Sequence, residues 1–106
     1  MQMSLKIAVY AIAKNEELTA QRWLDSTAGA DGVFVLDTGS SDQTVEILRN
    51  GGATVAIKSI TPWRFDLARN HALNLVPKDF DICISLDLDE VLCADWRQAI
   101  EKFWNP

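Results

Sequence analysis

The stretch Val33-Phe34-Val35-Leu36-Asp37-Thr38-Gly39-Ser40-Ser41-Asp42-Gln43-Thr44 decides how this chain folds. Its first four residues are apolar without interruption, as in a short strand buried on both faces. The residues after Gly39 set the class, because a second strand would make the chain all-β and a helix would make it α/β. Ser40 with Gln43 three residues on has the form of a capping box, and Thr44, Val45 and Leu48 then fall on one face until Gly51-Gly52. The stretch therefore reads as strand, loop, helix.

The same alternation runs outward in both directions. Leu5 to Ala13, apolar at every position but Lys6, is read as another doubly buried strand. The polar break from Lys14 to Glu17 opens a helix in which Ala20, Trp23, Leu24 and Ala28 recur at three- and four-residue spacing, with Gly29 closing it. Downstream, Ala53 to Ile57 supplies a third strand. A connection through Pro62-Trp63-Arg64 leads to Asp66 as the expected cap, with Phe65, Ala68, Ala72 and Leu75 on the next helical face before Pro77. Phe80 to Leu86 is the fourth strand, and Trp96, Ile100 and Phe103 or Trp104 fit a last amphipathic helix whose tryptophans are core or interface residues. The order βαβαβαβα predicts an α/β fold, a mostly parallel sheet with helices on both faces and right-handed crossovers.

Ligands in such sheets bind beyond the carboxyl ends of the strands. Those ends carry Lys14-Asn15-Glu16, Asp37-Thr38-Gly39-Ser40, Lys58 to Trp63, and Asp87 to Glu90. Four strands thus deliver polar side chains to one edge.

Composition narrows the partners. With 106 residues, 48% of them hydrophobic, the chain is expected to form one domain, residues 1–106. Its longest apolar run, Ile7 to Ala13, is seven residues, against the roughly 18 of a membrane span. The start of the chain does not read as a secretion signal, so a cytoplasmic location is expected. A net charge of -5 argues against nucleic-acid partners and anionic lipid. Residues 1–78 carry eight basic and eight acidic groups, whereas residues 79–106 carry seven acids and two bases, so the whole excess lies at the C-terminal end. Cys83 and Cys93 have no partners at zinc-ligand spacing and read as two reduced, structural thiols.

Three motif readings compete. Asp37-Thr38-Gly39-Ser40 after an apolar strand resembles the catalytic loop of aspartic proteases, but that fold needs an all-β chain with a Gly-rich flap, and no Gly occurs after Gly52. Ile84-Ser85-Leu86-Asp87-Leu88-Asp89 resembles the first motif of haloacid-dehalogenase-type phosphatases, whose remaining site residues would have to fit in the seventeen residues after Asp89. The third reading uses all the strand ends. Tyr10 to Glu17, Val35 to Thr44, Asp66 to Leu73 and Leu86 to Leu92 occur in the order and spacing of family 2 glycosyltransferases with the GT-A fold. The resemblance covers residues 5 to 92 and is closest to the subgroup that writes its second and third elements Asp-Thr-Gly-Ser and Ala-Arg-Asn.

The resemblance implies a nucleotide-sugar donor, most often a UDP-sugar, held through a divalent cation, Mg or Mn. By it, Asp89 and Glu90 lie where the family contacts the metal and the donor ribose, with Asp87 the first acid of the DxD. Asn15, Glu16 and Asp37 correspond to positions around the nucleoside, and Arg69 to a basic residue facing the diphosphate. Thr38 departs from the many members that carry a second acid there to read uracil, so a different nucleotide stays open. The family places its acceptor site and catalytic base in a further half, so no base or acceptor is named, and the chain is expected to be a truncated glycosyltransferase or a donor-binding remnant working with a partner chain.

Simpler readings stand beside these. Asp37 and Ser40 can make an Asx turn and a helix cap, Glu16 and Glu17 can be first-turn acids, and Arg69 can pair with Asp66. Asp87, Asp89 and Glu90 have the weakest such reading, since three acids in four residues repel one another unless solvent or a cation intervenes. The alternative from another class is a non-catalytic interaction module that docks a partner through an exposed Trp96 to Trp104 face.

Overall fold

The computed structural model describes residues 5–103. Ile7–Ala13 forms β1, and its alternate side chains divide between two cores. Val9, Ala11 and Ala13 point to one face, where they meet Ala20, Trp23 and Leu24 of helix α1 (Glu17–Ser26) and Leu48 of α2 (Thr44–Asn50). Ala8 and Tyr10 point to the other face, beside Ala68 and Ala72 of α3 (Phe65–Asn74). A strand that must satisfy both faces is apolar at every position, which is why the run is continuous.

Three further strands complete the sheet: β2 (Gly32–Asp37), β3 (Thr54–Ile57) and β4 (Ile82–Ser85), all parallel, in the order β3-β2-β1-β4. The expected α/β sheet with helices on both faces is the observed one. The chain winds outward from β1 to β3, then crosses to the far side of β1 for β4. Right-handed crossovers that reverse direction must change face, so α1 and α2 share one side and α3 takes the other. The reversal leaves a crevice between the carboxyl ends of β1 and β4, the position where such sheets bind ligands.

Some boundaries differ from those predicted, for local reasons. The Ser40/Gln43 capping box does not form. Asp42 takes the role instead, its Oδ1 accepting the backbone N–H of Thr44 at 2.9 Å, while Gln43 makes no side-chain cap. Asp66 is not the cap of α3. Arg64 occupies that place, and Asp66 sits in the first turn and pairs with it at 2.6 Å, leaving Arg69 to lie over the Phe65 ring. β4 spans four residues rather than the expected Phe80 to Leu86, although the Leu86 N–H still bonds the Tyr10 carbonyl at 3.1 Å. It is an edge strand, and Cys83 and Ser85 on its α3 side are exposed. Both cysteines are free as expected, but both are exposed, so neither is a core thiol.

The last helix, α4 (Trp96–Phe103), closes the opposite end of the sheet. Trp96 is 5% exposed and gives its indole N–H to the Ala28 carbonyl, which removes it from any exposed docking face. Phe103 is exposed, and Trp104 lies outside the described residues. Among the described residues no helix is long and apolar enough to cross a membrane. Arg97 ties α4 to the strand beginnings, donating to the Leu5 and Gly29 carbonyls and to Asp31 at 2.9 Å. Asp31 also accepts the Ile7 N–H at 2.8 Å, and that bond, with the Arg97 guanidinium, holds its carboxyl below the ordinary value of 3.8.

A lowered folded-state value means that this contribution is complete above pH 3.8 and is lost as the pH falls through the folded value. Asp31→Asn is expected to cost about 1 kcal/mol or less at neutral pH, because solvent screens the pair. The gap between the two proteins in urea unfolding should shrink as the pH drops below 3.8; a gap independent of pH would show that the carboxylate charge plays no part.

Candidate functional site

The carboxyl ends of the strands enclose a cavity of about 480 Å³, within the range that accepts a small ligand. β1 contributes Ile12 and Ala13, then Lys14 and Glu16 from the turn into α1. β2 contributes Thr38. The connection from β3 to α3 supplies Ser59, Ile60, Thr61, Trp63 and Phe65, and the residues after β4 supply Asp87, Leu88 and Asp89.

The β1 and β2 ends are locked together. Asp37 is 1% exposed, and its carboxylate accepts the backbone N–H groups of Gly39 (3.0 Å) and Ser40 (2.8 Å) and the Ser40 hydroxyl. Ser40 Oγ in turn accepts the Asn15 N–H at 2.8 Å, and Asn15 Oδ1 accepts the Ser41 N–H at 2.8 Å. Asn15 reaches this geometry at φ 54, a left-handed conformation that Asn tolerates better than most residues. A second brace lies beside it, where the Glu16 N–H bonds Thr44 Oγ1 at 2.8 Å and Glu17 Oε2 accepts the Gln43 N–H at 3.1 Å. These bonds aim Glu16 into the cavity from a loop that no sheet ladder holds.

The acids after β4 are arranged by alternation. Leu86 and Leu88 are 7% and 2% exposed and anchor the segment in the α1 side of the core, so Asp87 and Asp89 both face out, onto the cavity. The turn closes through the Glu90 N–H on the Asp87 carbonyl (2.9 Å) and the Asp87 N–H on Glu90 Oε1 (3.1 Å). One oxygen from each of Asp87, Asp89 and Glu90 lies within 4.8 Å of the others. None of the ion pairs among the described residues involves these three carboxylates. Arg22 of α1 comes near but donates to the Asp89 carbonyl, at 3.4 Å. An all-oxygen, exposed, uncompensated donor set suits a hard divalent cation such as Mg or Mn that keeps part of its water.

The residues singled out in the sequence therefore separate. Glu16, Asp87 and Asp89 line one cavity, and Glu90 sits beside the two aspartates without lining it. Asn15 and Asp37 stand behind the wall as braces, with Thr38 rather than Asp37 presented to the cavity. Thr38 gives its hydroxyl hydrogen to the Ala13 carbonyl at 3.3 Å. Arg69 is exposed and off the lining, its guanidinium 4.8 Å from the centre of the Phe65 ring. Lys14, named among the strand ends but given no role, lines the cavity, and sequence reasoning missed Phe65, which has the spacing of helical core yet is 51% exposed. The signal was available, since the first turn of a helix after a parallel strand necessarily starts at the ligand edge.

No family model matches this chain. It is 32% identical over 100 residues to an uncharacterized glycosyltransferase of Rickettsia bellii, covering 93% of this chain and 33% of that protein. It is 34% identical over 98 residues to an uncharacterized glycosyltransferase of Rickettsia conorii, covering 91% and 33%. The chain spans about a third of the length of the curated relatives it matches. Among solved structures, it resembles glucosyl-3-phosphoglycerate synthase of Mycobacterium tuberculosis with a TM-score of 0.66 at 27% identity, over 82% of this chain and 36% of that one. The same enzyme in complex with Mn2+, uridine-diphosphate and glucosyl-3-phosphoglycerate matches with a TM-score of 0.64 at 27% identity, over 78% and 33%. Its complex with Mg2+ and uridine-diphosphate matches at 0.58 and 28% identity, again over 78% and 33%. The chain is thus a glycosyltransferase-like domain with the GT-A arrangement of parallel sheet and helices.

The Asn15 brace can be tested by unfolding. Asn15→Gly keeps the φ freedom but loses the Ser41 bond, whereas Asn15→Ala loses the bond and must also adopt a strained φ. Urea denaturation should show the Ala variant about 1 kcal/mol less stable than the Gly variant. Equal stabilities would mean that the left-handed turn is not held in solution.

Proposed function

We propose that this domain binds a nucleotide-diphosphate sugar, a UDP-sugar by preference, through a divalent Mg or Mn ion, for transfer of the sugar to an acceptor. The observation that carries the reading is the convergence of Asp87, Asp89 and Glu90 beside the cavity at the sheet's reversal point. Support comes from the structural neighbours, whose complexes hold uridine-diphosphate together with Mn2+ or Mg2+.

Asp89 and Glu90 hold the cation, and Asp87 completes the acidic face that orients it. A bound divalent ion neutralises the diphosphate and so makes it a competent leaving group. The chain's own contribution is positional. The buried leucines fix the carboxylates, Glu16 and Thr38 face the nucleoside, and Lys14 lies on the same wall, where its ammonium favours phosphate. Asn15 and Asp37 serve the nucleoside site by holding that wall rather than by touching the ligand. Arg69, over the ring of the lining residue Phe65, is the basic residue assigned to the diphosphate. In this reading residues 1–106 form one donor-binding domain, shorter than the full glycosyltransferase, and the acceptor and the base belong to a further half or a partner chain.

Amide shifts tracked during titration with UDP and Mg2+ are expected to move at Glu16, Thr38 and Asp87 to Glu90. Asp89→Asn should weaken that binding at least about tenfold, the loss typical even of a ligand's supporting shell, and EDTA should abolish the difference. Signals that stay still at millimolar UDP and Mg2+ would sink the assignment.

A further inference from the structure

We infer that Trp63 is the stacking platform for the nucleobase of the donor, a role that rests on the donor-binding reading above. The tryptophans of the described residues are used in two ways. Trp23 and Trp96 are 0% and 5% exposed, and each donates its indole N–H to a backbone carbonyl, that of Leu86 at 3.0 Å and of Ala28 at 3.3 Å. Trp63 is 54% exposed and lines the cavity. Leaving half of the largest side chain in water forfeits much of the stabilisation its burial would bring, so a flat apolar surface at a cavity wall is a cost to the free protein that a ring-shaped ligand would recover.

The two ends of the cavity differ in kind. Trp63 enters with Ile60 and Phe65 on the connection after β3, and every residue this connection gives the lining is uncharged. Asp87 and Asp89 enter after β4. The connection returns from the outer strand β3 to α3, which packs on β1 and β2, so the cavity has an aromatic end where α3 begins and an acidic end after β4. In a nucleotide-diphosphate sugar, only the diphosphate calls for the cation. The base lies on one side of it and the sugar on the other, and the planar, uncharged base suits the aromatic end. Phe65 beside Trp63 is also half exposed but has the Arg69 guanidinium over its ring, whereas no cation lies over the Trp63 ring among the described residues.

The test is calorimetric titration of the full chain with UDP and with inorganic pyrophosphate, each with Mg2+, for native protein, Trp63→Ala and Trp63→Phe. Removing a stacking aromatic typically weakens binding by at least about fivefold per base. The expected result is that Trp63→Ala loses at least that much affinity for UDP, keeps native affinity for pyrophosphate, and is largely rescued by Trp63→Phe. Native UDP affinity in Trp63→Ala, or an equal loss for pyrophosphate, would overturn the stacking role while leaving the donor site intact. If native protein binds neither compound, the donor-binding reading fails and this inference with it.

Discussion

The central strand β1 is the constraint on which the rest of the molecule depends. It pairs with β2 on one side and β4 on the other, and its seven residues feed two separate cores. No polar side chain can be admitted along Ile7–Ala13 without facing one helix layer or the other. Polar chemistry is therefore pushed to the strand's carboxyl end, where Lys14, Asn15 and Glu16 come at once. That end is also where the winding reverses, and residues from the segments after β2 and after β4 line one cavity there.

The two walls of the crevice are stabilised by opposite means. On the β1/β2 side a buried carboxylate has all its neighbours supplied by the protein, three donors converging on Asp37. A buried charge is tolerable only when bonded in this way, and it then rigidifies its surroundings. On the β4 side three carboxylates are left in solvent without a cationic partner among the described residues. Residues 1–78 are neutral as a whole, and of the seven acids after them Asp79 and Glu101 pair with Lys6 and Arg97, while a cluster of three uncompensated negative charges is left on this wall. Placing it there costs self-repulsion in the free protein, and a bound cation would relieve that repulsion.

The fold was legible because the hydrophobic period changes at every element, and β1 and the Asp37 segment between them exclude an all-β chain. Sequence could not reveal how polar side chains choose among neighbours. Ser40 matches the capping box by spacing, but its hydroxyl is drawn to Asp37 and the Asn15 N–H across the loop, and Asp42 caps the helix from closer by. Asp66 has a helix-cap residue type and position, yet the Arg64 guanidinium two residues back captures it. The apolar run through Cys83 has the pattern of a doubly buried strand, although β4 lies at the sheet edge and Cys83 and Ser85 on its α3 side are exposed. For Ser40 and for β4 the outcome is set by tertiary placement, whereas Asp66 is taken by a partner two residues away that the capping pattern does not weigh.

The acidic cluster was legible for a different reason. The pattern Leu86-Asp87-Leu88-Asp89 carries its own orientation, because buried leucines on alternate positions force the intervening aspartates to the same outer side. No long-range partner is needed to decide where those carboxylates go. Asp37 shows the converse. It too comes at the end of an apolar strand, but it is the last residue of β2 and accepts from the turn immediately after it, so the same residue type at the same kind of strand end becomes a brace. A strand-end carboxylate is free for a ligand when the backbone after it runs on in alternation, and is consumed when that backbone turns back with its N–H groups aimed at it. The Gly39 φ of 122 is the mark of the second situation, since it lets the chain fold back over the carboxylate within two residues.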